Sequence, residues 1–197
     1  MSPFRLQVEY IDLLLIHWPG VARKAHDRPI HASARRESWR VLEELYRSGK
    51  CRAIGVSNFT VAHLEDLLSY AEILPSVNQI EVHPLYQQRE VRAWCERHGI
   101  AVVAYASLGC GELLQHPTVL AIAQDLAISP AQVLLRWALQ RDLAVIPKSQ
   151  SPDRILEFSP PMLFGDQQIP HLHDKHLDQL DALDAGTKFC WDPVSVA

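Results

Sequence analysis

The sequence predicts an α/β fold: a parallel β-sheet with outer helices, arranged as an incomplete (β/α)8 barrel with about five of its eight strands. Three observations carry that reading. Apolar, β-prone runs alternate along the chain with amphipathic helical segments, a rhythm that yields parallel strands joined by right-handed crossovers. The strand-like runs end abruptly in polar residues, as buried strands do when their carboxyl ends face a working site. No Gly-x-Gly-x-x-Gly follows any of them, which argues against a doubly wound dinucleotide-binding sheet and favours the barrel.

The strand candidates are Ile11–His17, Ala53–Ser57, Val77–Val82, Ala101–Tyr105 and Leu143–Pro147. Helical spacing predicts the segments between them. From Ser38, the residues Trp39, Leu42, Leu45 and Tyr46 share one face, and Ser48-Gly49 ends that helix. Thr60 caps a second helix whose Val61, Leu64, Leu67 and Leu68 fall on one side. Gln88–His98 buries Val91, Trp94 and Cys95, with Gly99 as its stop. Ser129-Pro130 reads as an N-cap followed by a proline at the first helical position, opening Ala131–Gln140.

Composition narrows the class. The 197 residues are 48% hydrophobic and 21% charged, as in one soluble globular domain spanning 1–197. A formal net charge of −4 gives no reason to propose a nucleic acid or an anionic membrane as partner. No strictly apolar run, Leu13–Ile16 included, is long enough to span a bilayer, and Met1-Ser2-Pro3-Phe4-Arg5 lacks the apolar segment of a secretory signal. Cys51, Cys95, Cys110 and Cys190 are scattered, without metal-type or disulfide-scaffold spacing. A reduced, cytoplasmic protein is the simplest expectation.

The polar strand ends suggest chemistry. His17 closes the first run, where an imidazole N–H can orient a carbonyl oxygen; the alternative is a ring that bonds a neighbouring loop. Trp18 is either a pocket wall or a core aromatic. Ser57, Asn58 and Gln79 offer donors and acceptors suited to a carboxamide, although Ser57-Asn58 also reads as a helix cap ahead of Thr60. Lys148, Ser149 and Arg154, two cations and a hydroxyl just after a strand, suit a phosphate monoester, or else merely solubilise a helix start. His171, His173 and His176 read as a solvated loop, not a metal site, and His63, His83 and His98 as ordinary surface or strand-end residues. Cys110 lies in a glycine-flanked loop, but nothing nearby in sequence lowers its pKa, and no thiol chemistry is assigned to it.

Taken together, Ile16-His17-Trp18-Pro19, Gly55-Val56-Ser57-Asn58-Phe59, Val77-Asn78-Gln79-Ile80-Glu81, Ala104-Tyr105, Ile146-Pro147-Lys148-Ser149 and the tail Phe189-Cys190-Trp191-Asp192-Pro193 occur in the order found in aldo-keto reductases. Each piece alone is weak; their order over nearly the whole chain makes the resemblance specific. The resemblance implies an NADP(H)-dependent oxidoreductase that reduces small aldehydes or ketones to alcohols by hydride transfer. It places His17 and Trp18 at the substrate carbonyl, with His17 catalytic. It places Ser57, Asn58 and Gln79 on the nicotinamide carboxamide and Tyr105 against the ring. Leu108 and Gly109 match the loop over the pyrophosphate, where Ala106-Ser107 replaces the usual Ser-Pro pair. Lys148, Ser149 and Arg154 match the holders of the adenosine 2′-phosphate, implying NADPH rather than NADH, and Glu157 matches a residue at the adenine.

The resemblance also sets two expectations of departure. The family's tetrad is aspartate, tyrosine, lysine and histidine, and its first three members lie on segments preceding the Ile-His-Trp-Pro strand. Only nine residues precede Tyr10, with Leu6-Gln7 resembling the end of a helix, so the expectation is a truncated barrel whose chain is inactive alone. Tyr10 and Asp12 match structural positions of that strand. The alternative is a non-catalytic NADPH-binding or regulatory remnant. Second, Phe158 stands where the family usually has asparagine, and 158–174 is proline-broken, reading as a flexible insertion before the amphipathic helix at Leu177–Leu183.

Overall fold

The computed structural model describes residues 7–21, 28–164 and 169–193, so the readings made on residues 1–6 and on the last four residues lie outside it. The described residues form five strands: β1 (Ile11–Ile16), β2 (Cys51–Ser57), β3 (Val77–Glu81), β4 (Ala101–Tyr105) and β5 (Ala144–Val145). They follow chain order across the sheet. The pairs β1/β2, β2/β3 and β4/β5 are parallel. The expected Leu143–Pro147 run contributes only its middle two residues as strand, because Ile146-Pro147 leaves the ladder where proline has no N–H to donate.

Between the strands lie α1 (Arg28–Arg47), α2 (Val61–Leu68), α3 (Arg89–Arg97), a 3-10 segment (Gly109–Gln115), α4 (Pro117–Leu126), α5 (Pro130–Leu139), α6 (Pro152–Glu157), α7 (Pro160–Phe164) and α8 (Asp174–Asp181). The residues divide into two compact units. One draws on Met1–Ile80, Arg89–Val102 and Asp192–Ala197; the other on Glu81–Gln88 and Val103–Trp191.

In the first unit the core gathers Trp39, Ile54, Val56, Phe59, Leu64, Leu67 and Ile80, all buried. Helix α1 begins ten residues before the expected Ser38. Its early buried face is polar (His31 and Arg35 at i and i+4, then Trp39), so hydrophobic periodicity does not reveal it. Arg35 donates to Asp66 Oδ2 at 3.0 Å and to Pro19 O at 3.0 Å, and His31 Nδ1 accepts the Val21 N–H at 2.9 Å, while His31 Nε2 finds no hydrogen-bond partner among the described residues. Buried Glu43 accepts the N–H groups of Glu72 and Ile73 at 2.8 and 2.9 Å, while the Trp39 indole donates to Ile73 O. Tyr46, expected on the inner face, is 42% exposed, since the helix stripe has rotated away by its last turn.

Thr60 caps α2 as expected, and His63 completes a reciprocal box: its N–H donates to Thr60 Oγ1, and its Nδ1 accepts the Thr60 N–H. Such a cap contributes about 1 kcal/mol. His63 is therefore buried, not a surface residue. Helix α3 buries Val91, Trp94 and Cys95 and stops at Gly99, whose φ of +67° suits glycine.

The second unit is built around α5, whose Val133, Leu134, Leu135, Trp137 and Ala138 are all fully buried. Ser129 caps it, with Gln132 returning the bond to the Ser129 N–H at 3.1 Å. Arg136 sits inside this apolar helix, 3% exposed, and its Nη2 donates to Leu163 O at 3.2 Å and Ile169 O at 2.7 Å. Those two bonds and the packing of Leu163 and Ile169 on Leu135 dock the described part of 158–174 onto α5. Helix α7 forms within it, and Gln140 both donates to Leu172 O and accepts its N–H. Residues 165–168 of that stretch lie outside the described residues. His176, read as part of a solvated loop, is buried on α8 and shares a 2.9 Å hydrogen bond with Asp125.

Candidate functional site

In the first unit the register brings three strand ends level. Ile16 pairs with Val56, Val56 with Asn78, and Ser57 with Gln79. Close approach of β2 to β3 depends on Gly55: a Cβ there would stand 2.6 Å from Val77 O. Asn58 leaves β2 in the left-handed region, at φ +63°, which asparagine tolerates better than most residues. Its Nδ2 donates to His17 O at 3.0 Å and to Ser57 Oγ at 3.2 Å, and its backbone N–H donates to Gln79 O at 2.9 Å. Ser57 Oγ donates to the same Gln79 carbonyl at 2.7 Å. The carboxyl ends of β1, β2 and β3 are thus laced together through Ser57 and Asn58, both buried.

His17 is exposed, and among the described residues its ring makes no hydrogen bond. Its ring lies 6.3 Å, centroid to centroid, from that of Trp18, tilted by 50°. Gln79 is half-buried, and among the described residues its side-chain amide is likewise unbonded. Two polar side chains therefore remain available at strand ends that Asn58 and Ser57 hold in place.

In the second unit, Tyr105 ends β4. Burial, with Cys190, Glu81, Tyr86 and Cys110 alongside, pushes its phenol well above the ordinary tyrosine range, so the ring stays neutral at working pH. Gly109 turns with φ +56°, and a Cβ there would meet Leu113 and Phe189 at 2.7–2.8 Å. Leu108 packs against the Leu135–Leu163–Ile169 cluster, which anchors that turn. Lys148 and Arg154 are exposed, and no carboxylate pairs with either among the described residues. Ser149 Oγ accepts the Ser151 N–H at 3.1 Å, keeping its own proton to donate. Glu157 accepts a 2.9 Å bond from Ser129 Oγ, which ties α6 to the cap of α5.

Sequence reading missed a buried polar centre in this unit. Glu81, 3% exposed, accepts the Phe189 N–H at 2.7 Å and the Cys190 N–H at 3.3 Å, and pairs with His83 Nε2 at 3.0 Å. Burial alone would raise the Glu81 carboxyl, but His83 and the two backbone N–H groups outweigh it and hold the carboxyl below its usual value. Gln88 adds a 2.7 Å bond to the Glu81 carbonyl. His83 is fully buried, contrary to a surface assignment. The local signal was a carboxylate at the end of β3 with His83 two residues on; its two backbone N–H partners, Phe189 and Cys190, lie more than a hundred residues away in sequence.

Parallel strands with polar side chains gathered at their carboxyl ends are the arrangement of the β/α class of folds. The sequence model of the Aldo/keto reductase family matches residues 2–159, and the chain belongs to that family. It is 44% identical over 179 residues to a glyoxal reductase of Bacillus subtilis (strain 168), covering 91% of this chain and 59% of that protein. It is 43% identical over 192 residues to an aldo-keto reductase of Mycolicibacterium vanbaalenii, covering 96% and 62%. Among solved structures, a point variant of Gox0644 in complex with NADPH superposes with a TM-score of 0.80 at 37% identity, covering 94% of this chain and 63% of that one. The chain therefore spans about three-fifths of the length of these relatives. No single helix among the described residues is long and apolar enough to cross a membrane.

Proposed function

We propose that this chain belongs to an NADP(H)-dependent oxidoreductase that reduces small aldehydes or ketones to alcohols, with NADPH preferred over NADH. The observation that carries the reading is the laced set of strand ends, in which Asn58 and Ser57 fix β1 and β3 while the His17 and Gln79 side chains stay unbonded among the described residues. Family membership and the NADPH-bound relative supply the class of reaction.

The residues fit a nicotinamide dinucleotide phosphate. Lys148 and Arg154 offer two cations unpaired among the described residues, and Ser149 a hydroxyl proton, which suits the 2′-phosphate that distinguishes NADPH. Gln79, with Ser57 and Asn58 behind it, suits the carboxamide, and the neutral Tyr105 ring suits stacking. The Leu108-Gly109 turn suits the pyrophosphate because it offers backbone at close approach, and Glu157, by its match to the family pattern, is proposed for the adenine. Bound NADPH would supply the hydride. His17 would orient the carbonyl oxygen by its N–H and stabilise the charge that develops there, while Trp18 shields that oxygen from water. Small carbonyl compounds are the substrate class, and the Bacillus subtilis relative, a glyoxal reductase, makes glyoxal the first to try.

The test follows loss of reduced-nicotinamide absorbance on adding glyoxal to the 197-residue chain with NADPH, against NADH and against His17→Gln. Turnover that favours NADPH and falls roughly a hundredfold or more in the variant supports the reading. Saturable NADPH binding without turnover fits a chain that is inactive alone as well as a non-catalytic binding protein, and absence of binding overturns both readings.

A further inference from the structure

We propose that, given the reading of Leu108-Gly109 as the pyrophosphate contact, Glu81 is a positioning residue for the dinucleotide. It fastens the tail at Phe189-Cys190, and the Phe189 ring so held sets the shape of the turn that meets the cofactor. The base of the tail is held without it: Leu85 O accepts the Ala185 and Thr187 N–H groups at 3.2 and 3.0 Å, and Gln87 Nε2 donates to Asp181 O at 3.0 Å. Glu81 adds a separate hold further along. Its Oε1 accepts the Phe189 N–H at 2.7 Å and its Oε2 the Cys190 N–H at 3.3 Å. His83 steadies both partners: its Nε2 lies 3.0 Å from Glu81 Oε1, and its ring centroid 5.0 Å from that of Phe189. His83 Nδ1 has no hydrogen-bond partner among the described residues, so the polar tie of the ring runs to Glu81.

The turn needs such a support. Ala106, Gly109, Cys110 and Gly111 all take left-handed backbone, at φ +51°, +56°, +52° and +97°. Two of the four carry a Cβ, which crowds the following carbonyl in that region, so packing has to hold the shape. The packing is tight where it matters: a Cβ at Gly109 would stand 2.7 Å from Leu113 and 2.8 Å from the Phe189 ring. Leu113 belongs to the 3-10 segment that Gly109 itself opens, whereas Phe189 is a wall brought from eighty residues further along the chain. Val82, next to Glu81, donates its N–H to Tyr105 O at 3.3 Å, so the backbone beside Glu81 also holds the residue just ahead of the turn. Without the Phe189 wall the turn is free to relax out of the left-handed region, and the backbone it offers at close approach moves with it. Glu81 acts on the cofactor through that ring.

The experiment measures NADPH affinity by fluorescence titration, and amide hydrogen exchange by NMR without cofactor, in the 197-residue chain and its variants. Glu81→Gln keeps the size of the side chain and loses its charge. Exchange at Phe189 and Cys190 then speeds up roughly tenfold or more, while Ala185 and Thr187 keep their rates. NADPH binds roughly fivefold or more weakly. Phe189→Ala weakens NADPH to the same degree, and Phe189→Leu recovers most of the affinity. Glu81→Gln adds nothing on top of Phe189→Ala, because it acts through that ring. A carboxylate that merely stabilises the fold would give losses that add and that no Phe189 variant rescues. Unaltered exchange at Phe189 and Cys190, unaltered affinity in Glu81→Gln, or additive losses in the double variant overturn the proposal and leave the cofactor reading standing. Where Glu81→Gln does not fold, Phe189→Ala decides alone: affinity equal to that of the wild type overturns the proposal. A wild-type chain that does not bind NADPH overturns the cofactor reading and the proposal together.

Discussion

The Asn58 side chain, held in the left-handed region at the end of β2, donates a 3.0 Å hydrogen bond to the backbone carbonyl of His17 at the end of β1. That bond sets where the His17 ring begins, and the Asn58 backbone N–H sets the same residue against Gln79. One residue thus ties three strand ends, which a helix cap alone does not require.

Removing that tie destabilises the first unit. Asn58→Ala loses a buried donor and keeps an unfavourable positive φ, so it costs about 2–4 kcal/mol in urea unfolding. Asn58→Gly loses the donor but relieves the backbone, and costs about 1–2 kcal/mol less than alanine. Equal costs for the two substitutions would show that the left-handed backbone contributes nothing.

Gly55→Ala places a methyl 2.6 Å from Val77 O and 2.8 Å from Leu15 Cδ2. Backbone cannot rotate away as a side-chain end can, so β2 and β3 must separate, at about 1–3 kcal/mol. The change also displaces Ser57 from Gln79, which predicts weaker NADPH binding along with the lower denaturation midpoint. Unaltered stability would contradict the close approach.

Arg136→Ala leaves the Leu163 and Ile169 carbonyls without their donor and opens space in α5, an expected loss of about 3 kcal/mol or more. Arg136→Met removes the same donors but also the buried charge, and fills the volume, so it is the milder variant. Chemical denaturation of the pair decides the point, and a methionine variant worse than alanine would contradict it.

Glu81 makes stability depend on acidity. Its folded carboxyl titrates below the unfolded value of about 4.3, so its contribution is complete above that pH and is lost as pH falls through the lower folded value. Glu81→Gln is therefore less stable than wild type at neutral pH, and the gap narrows as pH drops below about 4. A gap independent of pH, measured by urea midpoints along the acid limb, would contradict the assignment.

Much of this architecture was legible because its determinants are local. Each strand announces itself as a short apolar run, Gly99 and Ser129-Pro130 mark helix ends within a turn of their effect, and the residues of the proposed site cluster at those strand ends. What escaped was long-range and polar. The first half of α1 buries His31 and Arg35, which no hydrophobic period reports. The burial of Arg136 depends on the Leu163 and Ile169 carbonyls, which the proline-broken stretch supplies from about thirty residues on. Glu81 acquires its setting from the Phe189 and Cys190 N–H groups that tertiary folding brings to it. Local pattern locates a buried strand; it does not say which distant N–H groups a carboxylate on that strand will meet.

The most direct measurement is titration of the 197-residue chain with NADPH, followed by tryptophan fluorescence, alongside NADH and the Lys148→Ala variant. The account predicts saturable quenching that is tighter for NADPH than for NADH, with the preference lost in Lys148→Ala while NADH binding is unchanged. Absence of saturable binding, or a preference that survives the loss of Lys148, would contradict it.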